Sequence, residues 1–278
     1  MIRIITDSSG DLDLEAAAQL QVDVIPIHIS FGETEYLDRQ NLSVTEFYNK
    51  LETVDKLPTT SQITPFQFCQ TFQPYLEAGD EIVMILLSSQ LSGTYQSALT
   101  AKQMLQTDKI YLVDSLNAAL GQHLLVQIAV RLREQGLPAQ QIAEQLTALN
   151  ERICLIACMK TMKYLQMGGR VSAATAKIGG ILGITPIISL INGRVEVVGK
   201  VRGHKAALRW MAQHLEKEPA DERYPVVFSH SVNLEGRDEM VQALDAFLPN
   251  NDYLYCDLGS TVGTHIGPGA IGFAYITK

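Results

Sequence analysis

The chain is poor in the features that mark most catalytic and nucleic-acid-binding proteins. Its 278 residues hold four cysteines, Cys69, Cys154, Cys158 and Cys256, and no Cys-x-x-Cys pair. That spacing suits neither a disulfide framework nor a two-pair zinc site, so buried thiols in a reducing compartment and no bound metal are expected. No pair of histidines has zinc spacing. Basic residues are in deficit, 22 Lys and Arg against 30 Asp and Glu, for a net charge of −8. With no run of five basic residues, that balance excludes the basic face of a nucleic-acid binder. The longest weakly polar stretch, Gly179–Ile191, is too short to span a bilayer and contains Pro186. The chain opens on an apolar strand, Ile2–Ile5, with no basic segment followed by an apolar one. A cytoplasmic location without a transmembrane segment is therefore expected.

Three catalytic signatures are missing too. No Gly-x-Gly-x-x-Gly turn follows the first strand, so a dinucleotide site lacks its phosphate turn. Gly193–Lys200 resembles a P-loop, but its second glycine comes one residue late and Val201 stands where a hydroxyl residue is required. There is no Gly-x-Ser-x-Gly elbow of a serine hydrolase.

What is present is a regular alternation. Ile2–Thr6, Val22–Ile29, Ile82–Leu87 and Ile110–Val113 read as buried strands. Between and after them, helices are expected after Asp11 or Asp13, around Phe47, Tyr48 and Leu51, and over Pro65–Leu76, Thr94–Leu105, Leu116–Gln135 and Pro138–Asn150. Thr64 and Pro65 fit a cap and a first helical position. Strands alternating with helices imply βαβ units and a parallel sheet. The second half differs. Strands are expected at Ile153–Cys158, Val226–His230, Tyr253–Cys256 and Ile271–Ile276, with a hairpin of Pro186–Ile191 and Val195–Val198 around Asn192-Gly193. Helices fit Met162–Gln166, Ser172–Leu182, His204–Lys217 and Gly236–Phe247. This mixture implies a mixed α/β sheet. A domain boundary is placed near residue 150, giving domains 1–150 and 151–278.

Four polar clusters stand beside these apolar runs: Thr6–Ser9, Pro58–Gln62, Ser88–Tyr95 and Gly263–Ala270. They offer hydroxyls, glycine amides and one histidine, with almost no charge. Such donors suit an anionic head group held without a full counter-charge. In open parallel sheets ligands collect at the carboxyl ends of strands, where Asp7-Ser8-Ser9, Ser88-Ser89 and Asp114-Ser115 lie.

Together with Tyr164–Ser172, these clusters resemble the DegV family of bacterial fatty-acid-binding proteins over essentially the whole chain. Ser92–Ala98 and His265–Ala270 are the most specific pieces. The resemblance implies an α/β fold of two α/β domains: a three-layer parallel-sheet domain, then a two-layer mixed-sheet domain, with a ligand tunnel between them. It implies a long-chain fatty acid such as palmitate as ligand, no cofactor, and a separate fatty acid kinase as partner. On that pattern the chain is non-catalytic. It presents the acyl carboxylate for phosphorylation, and the acyl phosphate goes to phospholipid synthesis. Thr60 and Ser92 match the family positions whose hydroxyls hold the carboxylate, with Ser61 and the Gly93 amide as further donors. His265 matches the histidine near the carboxylate. Arg170 and Arg202 match positions that serve the kinase. One departure is Ile63-Thr64-Pro65, where the family often has proline directly after the glutamine; it bears on chain-length preference.

Duller roles compete for the same residues. Thr60 and Ser92 fit helix caps, His265 a structural turn, and the two arginines ordinary exposed side chains. Asp7 and Asp114 read as loop and cap structure. Two other functions remain open: a Ser92/His265 acyl hydrolase or transferase, and a lipid storage or sensor protein without a kinase.

Overall fold

The computed structural model describes residues 1–171, 183–249 and 251–278. The helix expected over Ser172–Leu182 lies outside the described residues.

The chain begins with β1 (Ile2–Asp7), a 3-10 turn at Ser8–Gly10, α1 (Leu14–Gln19) and β2 (Val22–Ile25). Asp13 caps α1 through a 2.8 Å bond from the Ala16 amide. Next come β3 (His28–Phe31), β4 (Thr34–Leu37), α2 (Val44–Thr53), β5 (Thr59–Ser61), α3 (Pro65–Glu77) and β6 (Glu81–Leu86). Then follow α4 (Thr94–Leu105), β7 (Ile110–Asp114), α5 (Leu120–Glu134) and α6 (Ala139–Leu149). The second half holds β8 (Ile153–Cys158), α7 (Lys163–Met167), β9 (Ile184–Ile191), β10 (Arg194–Arg202), α8 (His204–Lys217), β11 (Val226–His230), α9 (Leu234–Leu244), β12 (Tyr253–Asp257), α10 (Ser260–Ile266) and β13 (Ile271–Ile276).

Strands β2-β1-β6-β7 form a parallel sheet. Alternate residues face opposite layers, as strand geometry requires. Ile5, Ile82, Met84 and Leu86 pack with Phe68 and Phe72 of α3 and Ala98 and Ala101 of α4. Ile4, Val83 and Ile85 pack on the other side with α5 and α6. The first half is thus a three-layer sandwich. Strands β10-β9-β8-β13-β11-β12 form a mixed sheet in which only β11 and β12 run parallel. One face packs on α8 and α9 through Ile156, Phe228, Phe273, Met211 and Met240. The opposite face, with Leu155, Ala157 and Ala274, shares a core with α5 and the parallel sheet. Helix α5 therefore serves both halves.

Several expectations are corrected. Val22–Ile29 is not one strand: β2 joins the parallel sheet, while β3 joins β4 and β5 in a separate antiparallel sheet. Pro26 separates them and lacks the amide a ladder needs. The helix expected from Leu116 starts at Leu120, because Leu116 and Ala119 take positive φ of 48° and 47°. The glycine-rich 263–270 cluster is partly the helix α10. The expected hairpin is longer than predicted, with Asn192 and Gly193 both at positive φ, the pattern a tight primed turn demands.

Candidate functional site

A cavity of about 250 Å³ lies between the parallel and the mixed sheet, with β5 of the small antiparallel sheet on its wall, room for a ligand rather than for one water. Its apolar wall comes from both halves, including Ile27, Leu87 and Leu120 on one side and Leu155, Ile188 and Val262 on the other. Its polar lining includes Thr60, Ser61, Gln62, Ser92, Gly93, Arg170 and His265. The tertiary structure thus brings all five expected ligand-binding residues to one cavity, from segments more than 200 positions apart.

Contacts link these groups. Thr60, in the middle of β5, places Oγ1 3.1 Å from His265 Nε2. It caps no helix; Thr64 caps α3, accepting from the Gln67 amide in a capping box. Ser92 has a mixed role. Its Oγ accepts from the Thr94 amide at 3.3 Å and lies 2.9 Å from Thr94 Oγ1, so it helps start α4 while still lining the cavity. Gln62 was not expected at the site. It packs on Gly93 so closely that a Cβ there would sit 2.0 Å from Gln62 Oε1. No motif marks Gln62 beyond its place after Thr60-Ser61.

His265 stands on α10, and the first half of the chain anchors that helix. Asp38 accepts from the Ser260 and Thr261 amides at 3.2 Å each and from Thr261 Oγ1 at 2.6 Å. Asp11 accepts from the Gly259 amide at 2.8 Å and pairs with Arg39 at 3.2 Å. Carboxylates at a helix N-terminus satisfy amides that have no partner within the helix. Asp38 and Asp11 are residues that sequence reasoning missed as positioners, because their amides lie over 200 residues away. At the other end, Gly168 lets the imidazole pack on the α7 terminus; a Cβ there would meet His265 Nδ1 at 2.2 Å.

Burial holds the His265 ring down to about 4, and the neighbouring Arg170 charge adds to the effect. The imidazole is therefore neutral at physiological pH. Its Nδ1 is buried without a hydrogen-bond partner among the described residues. A proton on Nδ1 would be an orphaned donor, which costs more than an unfilled acceptor. The proton thus belongs on Nε2, where it is donated to Thr60 Oγ1 and leaves the Thr60 hydroxyl hydrogen free for the cavity.

The two arginines part company. Arg170 is half-buried in the cavity wall, donating from Nε to the Leu91 carbonyl at 3.3 Å and from Nη1 to the Gly168 carbonyl at 2.6 Å. Burial lowers its pKa. Arg202 is exposed at the end of β10 and does not line the cavity. Asp7 and Asp114 are structural. Asp7 accepts from the Leu87 amide at 2.8 Å and the Ser9 amide at 3.0 Å, while Asp114 accepts from the Ser89 and Leu116 amides at 3.1 Å each. These bonds set the loop that carries Ser92. Ser88 Oγ donates to the Gly193 carbonyl at 2.8 Å, fastening that loop to the β9–β10 hairpin.

The DegV family profile matches residues 1–278. This chain belongs to the DegV family. A DegV domain-containing protein of Clostridium perfringens is 35% identical over 279 residues, covering 100% of this chain and 99% of its own. Among solved structures, a DegV family protein from Thermus thermophilus, described as fatty-acid-binding, superposes with a TM-score of 0.91 at 29% identity, covering 100% and 99% of the two chains. DegV of Bacillus subtilis, described as a fatty acid binding protein, gives 0.87 at 27% identity, again over 100% and 99%. The fold of this DegV protein is the two-domain α/β fold of those neighbours. No helix among the described residues is long and apolar enough to cross a membrane.

Proposed function

We propose that this DegV protein binds a long-chain fatty acid between its two sheets and presents the carboxylate to a separate fatty acid kinase for acyl-phosphate formation. The observation that supports this most is one cavity in which an apolar wall from both halves meets the Thr60, Ser92 and Gly93 donors, with His265 beside Thr60. The relatives described as fatty-acid-binding support the same ligand. A chain of about 14 methylenes at about 0.8 kcal/mol each gains on the order of 10 kcal/mol before ordering costs, so the ligand survives purification.

Neutral hydroxyl and amide donors satisfy a buried carboxylate yet leave it nucleophilic; a bidentate arginine would occupy both oxygens. Arg170 instead engages backbone carbonyls through Nε and Nη1. In the coupled reaction a carboxylate oxygen attacks the γ-phosphorus of the partner's ATP and ADP leaves. This chain supplies the oriented nucleophile, and the nucleotide belongs to the kinase. Exposed Arg202 is assigned to partner contact.

A Ser92 hydrolase fits less well. His265 Nε2 is taken by Thr60, and among the described residues His265 Nδ1 meets no carboxylate that would orient the ring as a general base.

Denaturing extraction followed by mass spectrometry tests the ligand. One fatty acid per chain is expected; an empty protein that takes up neither palmitate nor oleate overturns the reading. Phosphorylation of that fatty acid by an added bacterial fatty acid kinase tests the partner. Ester turnover that vanishes in Ser92→Ala would establish the hydrolase instead.

A further inference from the structure

Strand β8 has two faces, and only one of them meets the cavity. Leu155 and Ala157 line it, whereas Cys154, Ile156 and Cys158 point into the core beneath α8 and α9. On that second face Cys154 meets the end of α8. Its Sγ lies 3.1 Å from His214 Nε2, and the same nitrogen lies 3.9 Å from Glu218 Oε2. One ligand atom from each of the three residues falls within 4.8 Å of the others.

We propose that Cys154, His214 and Glu218 form a zinc site, open at a fourth position to solvent. Zinc bonds to sulfur, nitrogen and oxygen of about 2.0–2.3 Å set the edges of a tetrahedron at about 3.3–3.7 Å. The two measured separations fall on either side of that range by a few tenths of an ångström. The exposed Glu218 side chain, 57% accessible, can move to shorten the longer separation, while the shorter one asks Cys154 and His214 to part by a few tenths of an ångström.

Local sequence and packing prepare the ligands. His214 and Glu218 are four residues apart at the end of α8, so they share one helix face. Trp210, one turn earlier, stacks on the His214 ring with planes 6° apart and centroids 5.3 Å apart. That stack fixes the imidazole plane before any metal arrives. The donor set also selects the metal. A thiolate rejects magnesium and calcium, while mixed sulfur, nitrogen and oxygen ligands suit borderline zinc. Thiolate and carboxylate together cancel the charge of Zn²⁺, which matters where Cys154 is only 9% exposed. On binding, the Cys154 proton passes to solvent. The cysteine spacing gave no hint of this, because His214 lies 60 residues from Cys154 and only the fold joins them.

The protein, stripped of metal by a chelator and keeping its lipid, is titrated with Co²⁺ and then Zn²⁺. One equivalent of cobalt is expected, with a thiolate-to-cobalt charge-transfer band that zinc abolishes. Cys154→Ala should lose the band and Cys158→Ala should keep it. Glu218→Gln and His214→Ala should weaken metal binding by at least the roughly 10- to 100-fold that even an outer-shell loss costs. No band in the wild type, or an unchanged band in Cys154→Ala, overturns the site. If Cys154→Ala fails to fold, the other two variants decide, and unchanged affinity in both overturns it as well. Bound fatty acid, read by mass spectrometry, should not change on metal loading, since the site lies on the sheet face away from the cavity.

Discussion

Thr60 Oγ1 and His265 Nε2 lie 3.1 Å apart although 205 residues separate them along the chain. One belongs to a short edge strand of the first half and the other to a helix near the C-terminus. The contact closes the polar part of the cavity. It makes the buried neutral imidazole a donor to Thr60 Oγ1 and leaves the Thr60 hydroxyl hydrogen free for the cavity.

On the proposed function, in which Thr60 and Ser92 donate to a bound carboxylate, removing either should weaken ligand binding without unfolding the protein. A hydrogen bond to a charged group contributes about 1.5–3 kcal/mol, so Thr60→Ala and Ser92→Ala should each lower affinity by roughly 10- to 100-fold. Ser92→Ala should also lower the melting temperature slightly, because Ser92 Oγ accepts from the Thr94 amide. Fluorescent fatty acid displacement and thermal melts check both. Wild-type affinity in both variants would reduce the two residues to structural roles.

Arg170→Ala and Arg202→Ala should separate. Arg170 lines the cavity and holds the carbonyls of Leu91 and Gly168, so its loss should reduce bound lipid. Arg202→Ala should keep lipid and stability and lose kinase-coupled turnover, as expected of a rim charge that acts on association. Lipid content beside turnover distinguishes them. Empty Arg202→Ala protein would contradict this division.

Gly168→Ala should cost more than Gly93→Ala. At Gly168 the new Cβ would meet His265 Nδ1 at 2.2 Å and the Tyr164 carbonyl at 3.2 Å, displacing the ring from Thr60. At Gly93 it would meet the end of the exposed, flexible Gln62 side chain. Lipid retention should fall by tenfold or more, roughly the value of one charge-assisted hydrogen bond, only in Gly168→Ala. Equal losses would show that the ring position does not matter.

The pH dependence has a definite sign. Buried His123 is held down to about 4 by desolvation, with Nδ1 donating to the Gly10 carbonyl and Nε2 accepting from Gln127. A depressed histidine contributes stability that is complete above its unfolded pKa of about 6.5 and is lost as pH falls toward 4. The stability of wild type relative to His123→Gln should therefore fall by on the order of 3 kcal/mol as pH drops across that window. Asp11, pushed up to about 7 chiefly by burial, acts oppositely: its contribution falls as pH rises from about 4 toward 7. Relative to Asp11→Asn, wild type should lose stability across that rise. Urea melts at stepped pH measure both slopes, and parallel curves for wild type and variant would refute the assignment.

Much of this was legible in the residues themselves. Apolar runs at Ile2–Thr6, Ile82–Leu87 and Ile110–Val113 predicted the parallel strands, because a strand buried on both faces is mostly apolar and carries a polar residue only where it finds a partner, as Thr6 does. The Asn192-Gly193 turn predicted the hairpin, because few residues accept positive φ twice in a row. Local patterns failed where the partner was distant. Val22–Ile29 reads as one strand, yet its two pieces join different sheets, a choice made by what each piece packs against. The glycines of 263–270 suggested a loop, but Asp38 and Asp11 from the first half supply the cap that makes α10 a helix. Tertiary structure alone placed Arg170 inside and Arg202 outside, since both arginines sit among glycines. It alone joined Cys154 to His214 and Glu218, and Thr60 to His265. Sequence determines which short segments bury their side chains, through periodicity over a few residues; which distant polar groups meet depends on how whole layers stack, and no local pattern records that.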